Sequence, residues 1–217
     1  MCKFEEVRGL IEKMIRSGSA DAQKAGAQLA GLAVLYGHDA DDLVAGSMEG
    51  SVDHRQGIAE VASQNVAAST YRAWCERYLT VLFDDEDEAV RQRAATCFRQ
   101  FEDRGLEGYE ELIGAFVESR AFPQSAHEVL YALKRARSRL PGVTCLVCER
   151  FLDHFGESAG DISTRASGRA MDVAELVFRT YQQHQGDEWG DKALDLIDRL
   201  CLAQAFGVRE GFDEFDR

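Results

Sequence analysis

The chain has 217 residues, of which 45% are hydrophobic, and this composition supports a folded core and excludes an intrinsically disordered chain. Its net charge of −13 disfavours wholesale binding to nucleic acids and anionic membranes, because the overall field repels polyanions. No apolar run approaches the roughly 18 residues of a membrane span, and the start, MCKFEEVRGL, has no apolar segment of a secretory signal. We expect a cytoplasmic protein whose six cysteines stay reduced.

Helix-forming residues dominate and only two prolines occur, so we predict helix along nearly the whole chain. Amphipathic periodicity predicts the first helices of successive pairs, and one last helix, at 3–16, 40–48, 70–83, 106–120, 141–155 and 189–203. The second helices of the pairs are predicted around Lys24, Arg55, Arg91, His127 and Arg165. The expected total is eleven or twelve helices in antiparallel pairs.

The acidic run FDDEDE precedes one of these second helices. From Val90 onward, the apolar residues fall on one helical face, and they are Val90, Ala94, Cys97, Phe98 and Phe101. Negative charge just before a helix and in its first turn favours the exposed N–H groups there. We therefore interpret residues 84–88 as a helix-initiation signal, with a cation site as the alternative.

The second helices share a repeated start, in which a basic or polar residue is followed by small residues, as in RQGIAEVA and RQRAATCF. The starts are 31, 36, 36 and 38 residues apart. A period in the middle thirties with two helices per unit is typical of an α-solenoid, whose pairs stack to bury their apolar faces. The aspartates Asp84 and Asp85, followed by Val90 and Arg91 on the second helix, resemble a HEAT repeat.

This resemblance implies an all-α fold, a right-handed superhelix of antiparallel helix pairs, with residues 1–217 forming a single domain of five to six pairs. In HEAT repeats the aspartate and arginine usually form a ladder between units, which would make Arg91 structural rather than ligand-binding. The unit at His127 lacks the arginine, and the unit at Arg165 has a different spacing. The end of the chain, ALDLIDRLCLAQAFGVREGFDEFDR, also resembles the close of repeat regions in large bacterial signal-transduction NTPases.

The motif CLVC, formed by Cys145 and Cys148 with His154 nearby, has the spacing of zinc ligands on one helix face. A structural zinc site usually needs four ligands, and no second CxxC pair is present. The surrounding helix is apolar nearly all round, so we predict buried core cysteines and neither a metal site nor a cofactor. His38 and His54 fall near predicted helix starts, where capping or solvent exposure is common.

No catalytic signature occurs in the sequence: GxSxG, HExxH, a P-loop and a GxGxxG after a strand are all missing. We therefore do not expect an enzyme. The aromatic residues Tyr71, Trp74 and Tyr78 follow a helical spacing. We interpret them as core packing, with an exposed protein-binding groove as the alternative.

Basic residues concentrate on the later second helices, which line the concave face of a HEAT-type stack. The candidate binding residues are Arg93, Arg99, Arg135, Arg169 and Arg179. Charge compensation at helix C-terminal ends is a competing explanation for Arg135 and its neighbours. We predict a non-catalytic protein-interaction or scaffold module that binds an acidic peptide, a helix or a partner subunit. The alternative is a HEAT-like nucleic-acid-binding protein with a basic inner strip.

Overall fold

The computed structural model describes residues 4–101, 105–136, 140–156 and 165–205, and of 165–167 only the backbone. All regular structure in these ranges is helical, which confirms the all-α prediction. The eleven α-helices of the described ranges are α1 (Phe4–Ile15), α2 (Ala20–Leu35), α3 (Asp41–Met48), α4 (Val52–Asn65), α5 (Arg72–Leu82), α6 (Glu88–Ala95), α7 (Glu110–Glu118), α8 (Phe122–Arg135), α9 (Pro141–Phe155), α10 (Arg165–Gln183) and α11 (Glu188–Leu202). None of these helices is long and apolar enough to cross a lipid bilayer.

The described helices form two compact units. The first contains α1 to α6 together with Ser119–Ala121, and the second contains α7 to α11. A single solenoid over residues 1–217 stays a prediction.

In the first unit the second helices of the pairs lie side by side, with α4 between α2 and α6. The approach of α2 to α4 is close because Gly57 has no side chain: a Cβ there would lie 2.5 Å from the carbonyl oxygen of Lys24. Ile58 and Val61 on α4 are buried in the core beside this contact. The absence of a side chain at Gly57 therefore sets the distance between α2 and α4.

His54 caps α4 and also fastens it to the end of α1. The backbone N–H of Ser51 donates to His54 Nδ1 at 3.0 Å, so the ring proton is on Nε2, which donates to the carbonyl oxygen of Ile15 at 2.8 Å. The side chain of His54 is buried, so both ring nitrogens have partners away from water. The expectation of a capping histidine is confirmed at this position.

In the second unit α9 packs against each of the other four helices, and α8 also lies against α10. The apolar residues Val147 and Phe151 of α9 are fully buried, as is Phe116 of α7. Pro141 occupies the first turn of α9, where its missing N–H costs nothing. The contact between α8 and α10 is the one that positions the candidate surface described below.

Three helices differ clearly from the sequence-based expectation, and the first is α7, which covers only Glu110–Glu118 of the expected 106–120. The helix from Val90 was expected to run to Phe101, but α6 ends at Ala95 and a 3-10 helix covers Thr96–Phe101. The Thr96 hydroxyl donates to the carbonyl oxygen of Arg93 at 2.7 Å, a local bond that competes with regular helical pairing. In α8, Ser125 has φ −127° and ψ 17°, which places a kink soon after Pro123.

Candidate protein-interaction surface

The acidic run before α6 acts as the helix-initiation signal that the sequence predicts. The Asp87 side chain accepts hydrogen bonds from the N–H groups of Ala89 and Val90, at 2.9 and 3.2 Å. These are two of the N–H groups that the first turn of a helix leaves unpaired. The five apolar residues predicted to face the core, from Val90 to Phe101, are all fully buried, although they are divided between α6 and the 3-10 helix that follows it.

The acidic run before α6 also connects this helix to the preceding helix pair. Asp85 accepts two hydrogen bonds from the Arg55 guanidinium on α4, at 2.6 and 3.1 Å, and the Asp85 side chain is only 8% exposed. This hydrogen bond to Asp85 raises the pKa of Arg55 above its ordinary value. Arg91 donates to the carbonyl oxygens of Asp85 and Glu86, at 2.7 and 2.9 Å, and is itself buried. Arg91 is therefore structural, as the sequence interpretation held, and the ion pair that reaches the preceding helix pair is Arg55–Asp85.

Arg93 and Arg99, two of the predicted binding residues, lie in the first unit and are exposed. Arg93 has its Nε atom 3.9 Å from Glu60 Oε2, and Lys24 Nζ lies 3.0 Å from the same oxygen. These three residues form a row across α6, α4 and α2. A carboxylate of the chain itself therefore offsets part of the positive charge around Arg93.

Arg169 and Arg179, on α10 of the second unit, are both half-buried. The Arg179 guanidinium donates to the carbonyl oxygens of Leu133 and Lys134, at 3.1 and 3.3 Å. These carbonyls belong to the last turn of α8, which leaves such groups without intrahelical partners. Arg179 thus caps α8 and holds it against α10, a structural use that the sequence interpretation did not anticipate.

Lys134 forms a second contact between α8 and α10. Its Nζ atom lies 2.6 Å from Asp172 Oδ1 and 2.7 Å from Glu175 Oε2, both on α10. Burial disfavours the charged form of Lys134, but hydrogen bonds to the two carboxylates outweigh this effect and raise its pKa. The charge of Lys134 is therefore satisfied within the protein.

Arg135 differs from these residues because its guanidinium packs against an exposed aromatic ring. It lies 5.3 Å from the centre of the Tyr131 ring and donates to the Tyr131 hydroxyl at 2.9 Å. Arg135 is exposed and Tyr131 is 42% exposed. On the neighbouring helix, Met171 is 44% exposed and adjoins Asp172 in sequence.

Tyr131, Lys134 and Arg135 of α8, together with Met171, Asp172 and Glu175 of the adjacent α10, are referred to as the α8–α10 face. It combines an aromatic ring, an aliphatic side chain and an arginine, a mixture enriched at protein–protein interfaces. Sequence reasoning selected Arg135 but missed Tyr131 and Met171. The spacing of four residues between Tyr131 and Arg135 was the available signal, because such residues are neighbours on a helix surface.

The aromatic stripe on α5 is mainly a packing feature. Tyr78 is buried, and its ring centre lies 4.7 Å from that of Trp74. Trp74 covers Gly31 of α2, where a Cβ would lie 3.3 Å from the indole ring. The core-packing interpretation is therefore confirmed for Tyr78, whereas Tyr71 is only half-buried and contacts the exposed ring of Tyr36 edge-on.

The CLVC cysteines are core residues, as predicted. Cys145 and Cys148 are 1% and 0% exposed on α9. Burial raises the pKa of Cys145 to about 11 and also raises the pKa of Cys148. Within the described residues no group of three or more His, Cys, Asp or Glu side chains is placed to hold a metal ion.

We expect thiol-modifying reagents at pH 8 to label Cys201 much faster than Cys145 or Cys148 in the folded protein. Partial burial raises the pKa of Cys201 as well, but its thiol is exposed on α11, whereas Cys145 and Cys148 are buried and keep their protons until the pH rises above the elevated pKa. Because the thiolate is the reactive form, both burial and the raised pKa slow the reaction. Timed iodoacetamide labelling, followed by mass spectrometry of each peptide, measures this difference. Equal labelling rates at Cys145 and Cys201 in the folded protein would contradict the burial of Cys145.

The five predicted arginines thus have different environments. Arg93 and Arg99 belong to one unit and Arg135, Arg169 and Arg179 to the other, so a single continuous strip stays a prediction. Among them Arg135 lies against the exposed ring of Tyr131.

Comparison with known proteins gives no match among family models, curated proteins or solved structures. The HEAT resemblance therefore stays a prediction. So does the resemblance of the C-terminal end, of which residues 206–217 lie outside the described ranges.

Proposed function

We propose that this chain is a non-catalytic protein-interaction module, built as a right-handed superhelical stack of HEAT-like helix pairs. The observation that carries the proposal is the contact of the Arg135 guanidinium with the exposed ring of Tyr131 on α8. Tyrosine and arginine, with tryptophan, are the residue types enriched among those that dominate binding energy at interfaces. Their mutual contact also restricts both side chains before binding, which lowers the entropy that association costs.

A protein partner fits this surface better than a nucleic acid. The net charge of −13 repels polyanions, and Lys134 is already bonded to Asp172 and Glu175. Arg179 is engaged in capping α8. A protein partner could place one acidic group against Arg135 and cover Tyr131 and Met171 with apolar groups. Unlike a nucleic acid, it needs no extended run of cations.

The experiment that tests this proposal is capture of partners from cells that naturally make the protein. Wild type, the double variant Tyr131→Ala/Arg135→Glu and the control Arg120→Glu are compared by quantitative mass spectrometry. The control reverses one charge at another exposed arginine, outside the α8–α10 face. We expect a reproducible partner that the double variant loses and the control retains. A set of captured proteins that is identical for all three would contradict the proposal, provided that circular dichroism shows equal folding.

For the alternative function, we expect duplex DNA to bind no tighter than roughly the micromolar to sub-millimolar range of nonspecific complexes near physiological salt. The physical reason is the long-range repulsion from the acidic chain. Fluorescence anisotropy with a labelled duplex measures this affinity. Nanomolar, salt-sensitive binding that Arg93→Glu/Arg169→Glu abolishes would favour a nucleic-acid-binding function instead.

A further inference from the structure

A second exposed aromatic ring lies in the first unit, at the end of α2. Tyr36 is the C-cap residue of this helix, and Gly37 follows it with a φ of 81°, the left-handed conformation that commonly ends a helix. Tyr36 is 71% exposed, more than any other tyrosine, tryptophan or phenylalanine of the described ranges. Tyrosine is enriched at protein interfaces, because its ring is apolar and its hydroxyl stays hydrated.

The ring of Tyr71 restricts the orientation of the Tyr36 ring. Tyr71 is the N-cap residue of α5, and the two rings meet edge-on, with 6.4 Å between their centres and 71° between their planes. Aromatic rings attract each other in this arrangement. Because Tyr71 is half-buried, it holds the more exposed ring in place before any ligand binds. A ligand of the Tyr36–Tyr71 pair therefore has less side-chain entropy to overcome.

The face of an aromatic ring attracts cations, and two tyrosines of this protein already have one. The guanidinium of Arg77 lies 5.5 Å from the centre of the Tyr78 ring, and that of Arg135 lies 5.3 Å from the centre of the Tyr131 ring. No cation of the described residues lies over Tyr36. A cation of a partner can therefore occupy this ring without displacing one of the protein's own.

Negative charge lies near this pair of rings. Asp39 follows Tyr36 by three residues, and the stacking of Phe4 on His38, with 4.3 Å between ring centres, brings Glu5 to the same end of α2. Asp39 and Glu5 are exposed, and neither carboxylate forms an ion pair with another residue that the structure describes. Their field extends over about 8 Å at physiological salt, so it favours a cation at this end of the helix.

The neighbouring cation and the helix itself leave this negative charge in place. Arg8 donates to the carboxylate of Asp42 and to the carbonyl oxygen of Asp39, both at 2.6 Å, so its charge is already used. The last turn of α2 contains no basic residue, and the partial negative charge of a helix C-terminus adds to that of the carboxylates. This end of α2 therefore repels acidic ligands and attracts basic ones.

We infer that the Tyr36–Tyr71 pair binds a basic segment of a partner protein, with an arginine side chain on the exposed face of the Tyr36 ring. Arginine suits this position because its planar guanidinium stacks on aromatic rings and is weakly hydrated, so it loses little hydration there. The carboxylates of Asp39 and Glu5 attract the remaining basic side chains of the segment. This site belongs to the first unit and does not depend on the α8–α10 face.

The test is an NMR titration of the full chain, labelled with carbon-13 in the tyrosine rings. One probe is a short peptide of alternating arginine and glycine, and the matched probe has glutamine in place of each arginine. We expect saturable shifts of the Tyr36 and Tyr71 signals with the arginine peptide and none with the glutamine peptide.

Substitutions then separate the contribution of the ring from that of the charge. Tyr36→Ala is expected to weaken binding of the arginine peptide about fivefold, followed at the Tyr71 signal, whereas Tyr36→Phe keeps the ring face and the affinity. Asp39→Asn is expected to weaken binding about twofold. Asp21→Asn is the control, because it removes one exposed carboxylate at the other end of α2 and is expected to have no effect.

Three results would overturn the inference. The first is the absence of saturable shifts with the arginine peptide, or equal binding of the glutamine peptide. The second is an unchanged affinity in Tyr36→Ala, or a loss in Tyr36→Phe as large as in Tyr36→Ala. The third is an equal loss in Asp39→Asn and Asp21→Asn, since only the net charge of the chain would then attract the peptide. None of these results bears on partner capture at the α8–α10 face.

Discussion

Replacement of Asp85 by alanine is expected to lower the free energy of unfolding by about 2–3 kcal/mol, the range for a hydrogen-bonded charged group with little exposure. The carboxylate accepts two hydrogen bonds from Arg55 and a third, at 2.9 Å, from the backbone N–H of Asp87. Its removal leaves a half-buried guanidinium without its carboxylate and frees the turn that leads into α6. Urea denaturation followed by circular dichroism measures the change.

The matched control is Arg93→Ala, which removes an ion pair with a longer distance and greater exposure. Its Nε atom lies 3.9 Å from Glu60 and the Arg93 side chain is 44% exposed. We expect this variant to lose less than about 0.5 kcal/mol, as exposed ion pairs do. A loss of unfolding free energy for Asp85→Ala as small as the one expected for Arg93→Ala would show that the Arg55–Asp85 ion pair does not stabilise the unit.

Gly57→Ala is expected to destabilise the first unit by about 1–3 kcal/mol, although alanine is the better helix former. The new methyl group would lie 2.5 Å from the Lys24 carbonyl oxygen and 2.9 Å from the Ala27 Cβ atom. The first of these atoms is backbone, so α2 and α4 must move apart to accommodate it. Thermal and urea denaturation of the purified chain measure the loss.

The control for this prediction is Gly46→Ala, which makes the same chemical change in α3. Gly46 is exposed, and a Cβ there would have no neighbour within 4 Å. We expect Gly46→Ala to raise the stability by about 0.5–1 kcal/mol through helix propensity alone. A loss of stability in Gly57→Ala together with a gain in Gly46→Ala would establish the close approach of α2 and α4. A gain of stability in both variants would refute it.

The sequence predicted helices well wherever periodicity and local signals agree. The expected helix 141–155 matches α9 at both ends, because Pro141 favours a first turn and the apolar pattern continues to Phe155. The expected helix 40–48 differs from α3 by one residue. Periodicity could not predict the 3-10 segment after Ala95, where a side-chain hydroxyl competes for a carbonyl group.

The candidate surface was less predictable because it depends on which helices become neighbours. Composition marked Arg179 and Arg135 alike as basic residues on second helices. Only the packing of α8 against α10 shows that Arg179 caps a helix end while Arg135 contacts an exposed tyrosine. The pairing of Lys134 with Asp172 spans 38 residues and has no local sequence signal.

The proposed function requires that a protein partner binds the α8–α10 face through the Tyr131 ring and a few charge contacts. The most direct test is the association constant of the captured partner, measured over a range of NaCl concentrations for wild type and Tyr131→Ala. We predict a weak dependence on salt, and a loss of about tenfold or more in Tyr131→Ala, as for a residue at the centre of an interface. A steep log–log slope, near 0.9 for each neutralised phosphate of a duplex, with no effect of Tyr131→Ala, would contradict it.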